Sequence, residues 1–304
     1  MSSGQEQVVE KVKVKKIFRE ISHYLTKKRK VIIGSFELSL PAGHNLPIYL
    51  HAHKKYDQFL PFFVSFFDDN EVIIDVGANC GDTLASMVIV KPALKYICIE
   101  PDNCFFSFLE KNTQLFKLKF PKLQVLNLNM MVGNLLSSAL LSGKGGTKNM
   151  VPSASPSAMK SSSLDDIVKN DLSGFCDANQ IRLIKSDVDG YDWDVLNSGK
   201  KIIGENFPFL YFECQVDNIE QKAHYSDLFL HLKNNEYSWF VLFDNFGQVL
   251  VRTDNINIIE NLLDYTWSQT LECTTRTIFY YDVLAYTAKE YGFVERIITT
   301  YKVI

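Results

Sequence analysis

The sequence predicts an α/β fold built on a mostly parallel sheet, and three observations carry that prediction. From Glu71 onward, short β-branched runs alternate with longer stretches of helical period, the pattern of consecutive βαβ units. Each run is nearly all apolar, as expected of strands covered by helices on both faces. The first run ends in a glycine-bearing turn, Gly77 to Gly81, that leads straight into a helix start at Asp82. Strand, glycine turn and helix in that order are Rossmann-like.

Ahead of this core, apolar positions over residues 8–28 recur at mixed three- and four-residue steps, which predicts an amphipathic helix. Residues 31–40 and 46–50, separated by Pro41-Ala42-Gly43, predict two short strands joined by a turn. The aromatic stretch 56–67 predicts a helix, and Asp68-Asp69-Asn70 breaks it. The chain therefore divides into an N-terminal helix and hairpin extension, 1–70, and a catalytic domain, 71–304.

Within the domain, strands are predicted at 72–75, 96–100, 123–128, 181–187 and 209–213, with helices at 82–90, 103–116 and 193–203. Residues 129–163, rich in Ser, Gly and Lys, follow neither period and predict a long binding loop or gate. A short helix comes next, with Ser163 as N-cap and Asp166 at its third position. Beyond residue 213 the pattern predicts a helix at 220–234, a hairpin of 238–243 and 249–252, and a helix at 256–265. A last strand at 277–284 would end the sheet on an antiparallel edge.

Composition narrows the function classes. A net charge of −3 with scattered basic residues offers no footprint for a nucleic-acid backbone. The one basic cluster, Lys11 to Lys30, is interleaved with apolar residues and reads as a solvated helix face. The six cysteines form no CxxC pair and read as reduced. No run approaches the ~20 apolar residues of a membrane span, and residues 6–19 are charged rather than signal-like. The expectation is a cytoplasmic protein with no integral membrane segment, with homo-oligomerisation left open.

The chemistry centres on Asp75-Val76-Gly77-Ala78-Asn79-Cys80-Gly81-Asp82. Gly77 and Gly81 let the backbone turn sharply and approach a ligand, while the following helix offers unpaired N–H groups. About twenty residues on, Glu100 closes the second strand, where a carboxylate can accept both ribose hydroxyls of a nucleoside cofactor. A nicotinamide enzyme would use GxGxxG, but Asp82 stands where the third glycine would be. A carboxylate there repels a pyrophosphate and suits the ammonium and sulfonium of S-adenosylmethionine.

These residues, with Glu100-Pro101, Ser163-Leu164-Asp165-Asp166, the block from Ile184 to Tyr191 and Phe212-Glu213, resemble the FkbM family of S-adenosylmethionine-dependent methyltransferases. The resemblance covers residues 56–213 and is looser outside. It implies a seven-stranded methyltransferase sheet and O-methylation, often of sugars in glycans or natural products. It also implies that Asp75, Gly77, Asn79 and Gly81 surround the methionine part of the cofactor, with Glu100 on the ribose and Asp102 beside it. The adenine contact is expected at 129–133. Tyr56-Asp57 matches a tyrosine–acid pair in the family and would border the acceptor pocket.

Asp187 ends the fourth strand on the carboxyl edge where open α/β sheets bind ligands, and is the first candidate to take the proton of an acceptor hydroxyl. Asp189 stands where the family commonly has Glu, and Glu213 ends the next strand. The three acids could also converge on a divalent cation, although an acidic strand end is often only a helix cap, and proton acceptance without a metal is the favoured reading. Lys185 reads as a structural ion pair, and His44, His51 and His53 as exposed alternatives for the base. The expected acceptor is a small molecule or glycan. The readings left open are an NAD-dependent oxidoreductase and a catalytically silent cofactor- or glycan-binding module.

Overall fold

The computed structural model describes residues 28–53, 55–135, 138–142, 149–152, 159–273 and 276–303. The helix expected over 8–28 lies outside the described residues save Lys28, as do most of the basic cluster and the glycine run at 143–146. Strands β1 (Lys28–Ile33) and β2 (Phe36–Pro41) form a hairpin. Its turn falls at Gly34, whose φ of 53° suits glycine, and not at residues 41–43. Leu46 to Leu50 belongs to helix α1 (Leu46–Ala52) instead of a strand, because Pro47 fixes a helical φ in the first turn where its missing N–H costs nothing. Helix α2 (Phe59–Val64) buries Phe59, Leu60, Phe63 and Val64.

The core follows as β3 (Val72–Val76), α3 (Asp82–Val90), β4 (Lys95–Ile99), α4 (Asn103–Lys119) and β5 (Gln124–Leu128). The expected loop then carries four short strands, β6 (Met131–Val132), β7 (Ser138–Ser142), β8 (Asn149–Pro152) and β9 (Met159–Ser162), in a small sheet ordered β6-β9-β7-β8. Runs of two to five residues are too short to show a period. Ser163 caps α5 (Leu164–Asn170), accepting from the Asp166 N–H. Next come β10 (Ile181–Ser186), α6 (Asp192–Ser198), α7 (Lys200–Asn206) and β11 (Phe209–Gln215). The one helix expected at 193–203 is two, broken at Gly199.

The chain ends with α8 (Ile219–Asn234), β12 (Trp239–Asp244), β13 (Val249–Thr253), α9 (Ile256–Glu272), β14 (Tyr280–Tyr286) and α10 (Tyr291–Tyr301). The main sheet runs β5-β4-β3-β10-β11-β14-β12-β13. The first five strands are parallel to one another, and β14 lies antiparallel between β11 and β12. The sheet is thus Rossmann-like with eight strands, one more than expected; β14, expected at the edge, is interior, and β13, antiparallel to β12, forms the edge. Burial explains the placement: Val283, Leu284 and Ala285 have no exposed surface, whereas β13 shows Leu250 to solvent and suits an edge.

Two apolar layers flank the sheet, one on each face. The hairpin and α2 share the first layer with Ile73, Leu84 and Phe116, so both pack into the core of the domain. Asn112, fully buried on α4, joins them: its amide donates to the carbonyls of Ser39 and Cys80 and accepts from the Ser39 N–H.

Candidate active site

Side chains alternate across a strand, so residues two apart share a face. On the face that carries Ile73, Tyr96, Leu183, Phe209 and Leu284, each strand turns polar at the same edge. Asp75, Glu100, Lys185, Glu213 and Asp282 form a polar band there, with Lys185 its single cation and with Glu100, Glu213 and Asp282 one step further along the strands than Asp75 and Lys185. Register sets two side-by-side pairs: Asp75 with Lys185 and Glu213 with Asp282. The Lys185 ammonium lies 2.9 Å from Asp75 and 3.4 Å from Asp187, and donates to the Gly77 carbonyl at 3.2 Å.

The turn after β3 is held from both sides. Gly77 and Ala78 donate to the Ile99 carbonyl, and the Asn79 N–H donates to Glu100 Oε2 at 2.8 Å. Gly77 has φ 80°, and a Cβ there would sit 2.0 Å from the Asp187 carbonyl oxygen. Only glycine lets β3 and β10 come this close. The loop after β10 is shaped by Asp192, fully buried, whose Oδ1 accepts from Ser186 Oγ and the Val188 N–H. Burial, with Asp187 nearby, pushes the Asp192 carboxyl up to about 8.

Above this band opens a cavity of about 480 Å³ at the carboxyl edge of the sheet, within the usual range for ligand sites. Six carboxyl side chains face it: Asp57, Asp82, Asp187, Asp189, Glu213 and Asp282. Burial first, then the neighbouring acids, raises Glu213 and Asp282 well above the carboxylate range. Water reaches Asp57 through the cavity, yet the protein around it and then Asp82 and Asp187 raise it too. The lining also holds aromatic rings. His53 lies tilted against Phe246 at 4.3 Å and Tyr49 lies 5.5 Å from Tyr56. His44 Nε2 meets Asn79 Oδ1 at 3.0 Å.

Of the residues expected from sequence, Gly77, Asn79, Asp187, Asp189, Glu213, Tyr56 and Asp57 line the cavity. Others lie behind its wall. Asp75 is 1% exposed with its carboxylate turned to Lys185, so it supports the floor and does not line it. Gly81 starts α3 with φ 81°, packed on Leu109. Asp102 caps α4, accepting from Cys104 and Phe105 N–H groups. Glu100 is 5% exposed and accepts from the Asn79 and Asp102 N–H groups, and burial pushes it up to about 7. At the expected adenine position, the Asn129 amide donates to the carbonyls of Glu100 and Pro101.

Sequence reasoning missed Asp282, Tyr280 and the Asp192 brace. The alternation Tyr280, Asp282, Leu284 against Tyr281, Val283 was the available signal, since it puts an acid on a buried face. Among the described residues no three His, Cys, Asp or Glu side chains converge to hold a metal ion. Nor is any described helix long and apolar enough to cross a membrane.

Strand order and cavity together define a Rossmann-like α/β protein with a ligand cleft at the carboxyl edge of its parallel strands. No family model and no curated protein matches the sequence. Among solved structures it is similar to the methyltransferase FkbM from Methylobacillus flagellatus, with 14% identity over 80% of this chain and a TM-score of 0.46. The match spans 59% of that protein's length. It is also similar to M. jannaschii TYW2 in complex with AdoMet, with 8% identity, 85% of each chain and a TM-score of 0.44. The plantazolicin methyltransferase BpumL in complex with SAH shows 9% identity over 80% of this chain and 88% of its own, with a TM-score of 0.40. The fold assignment rests on the strand order described above.

Proposed function

We propose that the chain is an S-adenosylmethionine-dependent O-methyltransferase whose acceptor is a hydroxyl of a sugar, glycan or related polyhydroxylated molecule. The observation that carries this reading is the acidic lining of the cavity. Its six acids face two cations, of which Lys185 is committed to Asp75 and Arg276 to Asp217. A dinucleotide pyrophosphate would meet repulsion there, above all from Asp82 in the first turn of α3. A ligand carrying an ammonium and a sulfonium meets attraction.

Gly77 and Asn79 would cradle the methionine end, beside Asp187 and Asp189. Glu100 would take the ribose: each of its oxygens accepts one backbone N–H and retains a second lone pair. Asp102, occupied as a helix cap, has no part in this scheme. The bound cofactor supplies a methyl group on a positively charged sulfur. Asp187, its side chain 49% exposed and near the Lys185 ammonium, would accept the proton of an acceptor hydroxyl. Tyr56 and Asp57 border the acceptor end.

The test is methyl transfer from labelled S-adenosylmethionine to a panel of saccharides and mixed glycans. The expected product holds its label as an alkali-stable methyl ether. Alkali-labile label, marking a methyl ester, would contradict O-methylation of a hydroxyl. Cofactor binding with no transfer to any acceptor would point to a silent binding module.

A further inference from the structure

The cavity floor carries more carboxyl groups than the cofactor reading uses. Strands β3, β10, β11 and β14 are consecutive neighbours. At about 4.8 Å per strand, Glu213 and Asp282 stand about 10 and 14 Å from the glycine turn. An ammonium held at Gly77 and Asn79 does not reach them. Glu213 is 8% exposed, faces the cavity and has an Oε1 with no hydrogen-bond partner. Such an orphaned buried acceptor is costly until a donor meets it. The protein's own cations are engaged elsewhere: Lys185 with Asp75 at 2.9 Å, Arg276 with Asp217 at 2.6 Å and over the Phe279 ring at 5.0 Å.

We propose that this end of the cavity binds a protonated amine on the acceptor, with the Glu213 and Asp282 carboxyls accepting its N–H groups and the Tyr280 and Phe246 rings against its carbon frame. The inference rests on the methyltransferase reading and names the acceptor class within it: an amine-bearing polyhydroxylated molecule such as an amino sugar. A protonated amine has no lone pair and is not the methylated atom. It is the handle that fixes which hydroxyl lies near Asp187. A divalent cation fits less well, because no three ligands converge among the described residues.

Calorimetry on the full chain saturated with S-adenosylhomocysteine tests this, with glucosamine, N-acetylglucosamine, glucose and magnesium chloride as separate titrants. Glucosamine is expected to bind at least about tenfold more tightly than either neutral sugar, the range of a charge-assisted hydrogen bond. Glu213→Gln is expected to abolish that preference and leave S-adenosylhomocysteine affinity unchanged. Should Glu213→Gln fail to fold, Asp282→Asn and the wild-type preference decide. Equal affinity for the three sugars, or displacement of glucosamine by magnesium, overturns the proposal. S-adenosylhomocysteine binding without an ammonium preference overturns this inference alone, whereas failure to bind S-adenosylhomocysteine overturns the methyltransferase reading as well.

Discussion

Lys185→Met removes the cation paired with Asp75 while keeping the length of the side chain. Asp75, 1% exposed, then stays either ionised without a partner or protonated. Holding a carboxyl with an ordinary value near 3.9 neutral at pH 7 costs about 1.4 kcal/mol per pH unit, ~4 kcal/mol in all. That agrees with the ~3–5 kcal/mol typical of breaking a buried pair from one side. Asp75→Asn should cost less, about 1–3 kcal/mol, because Lys185 keeps Asp187 at 3.4 Å and the Gly77 carbonyl at 3.2 Å. The double variant should be more stable than Lys185→Met alone, with a coupling energy of about 2 kcal/mol. Urea unfolding followed by the fluorescence of Trp193, Trp239 and Trp267 measures all three. Burial raises the folded Asp75 carboxyl, more so without Lys185, so its contribution is present at low pH and lost as pH rises. The deficit of Lys185→Met should therefore shrink by about 1.4 kcal/mol per pH unit between pH 7 and 5. A cost below ~1 kcal/mol, or a deficit independent of pH, would refute this account of the floor.

Gly77→Ala puts a Cβ 2.0 Å from the Asp187 carbonyl at φ 80°, and should lower stability by at least ~2 kcal/mol and S-adenosylhomocysteine affinity more than tenfold. Parental melting temperature and affinity would remove this turn from the site. Glu100→Ala should weaken S-adenosylhomocysteine binding by about tenfold or more, through loss of a charge-assisted ribose contact, and unchanged affinity would clear Glu100 of that role. With Glu100 raised to about 7, binding that needs its carboxylate should weaken as pH falls from 8 to 6. Stability should slope the other way, highest below the ordinary Glu value and lost as pH rises through 7, and Glu100→Gln should flatten both slopes. Asp187→Asn should reduce kcat by about 100-fold or more while the S-adenosylhomocysteine Kd moves by less than about threefold. Equal losses in both would make Asp187 a binding residue.

The parallel half of the sheet was legible because its strands are buried on both faces and read as unbroken apolar runs, such as Val72-Ile73-Ile74. The turn at Gly77 and the cap at Ser163 were legible because each rests on a local backbone requirement. What failed rested on a single residue or on contacts between distant segments. Leu46 to Leu50 reads as a strand by composition, and only the proline within it marks a helix. The interior position of β14 is set by pairing with β11 and β12, which no local pattern reports. In the site, residue type pointed to acids at the carboxyl edge without their orientation. Asp75 and Asp102 are acids beside a glycine turn like Asp82, but Asp75 turns to Lys185 and Asp102 caps α4. Asp282 comes to the cavity from a strand that sequence placed at the sheet edge.

The most direct measurement is calorimetric titration of the purified chain with S-adenosylhomocysteine and, separately, with NAD. An acid-walled cleft at the glycine turn predicts saturable binding of S-adenosylhomocysteine and none of NAD. Tight NAD binding with no response to S-adenosylhomocysteine would contradict it.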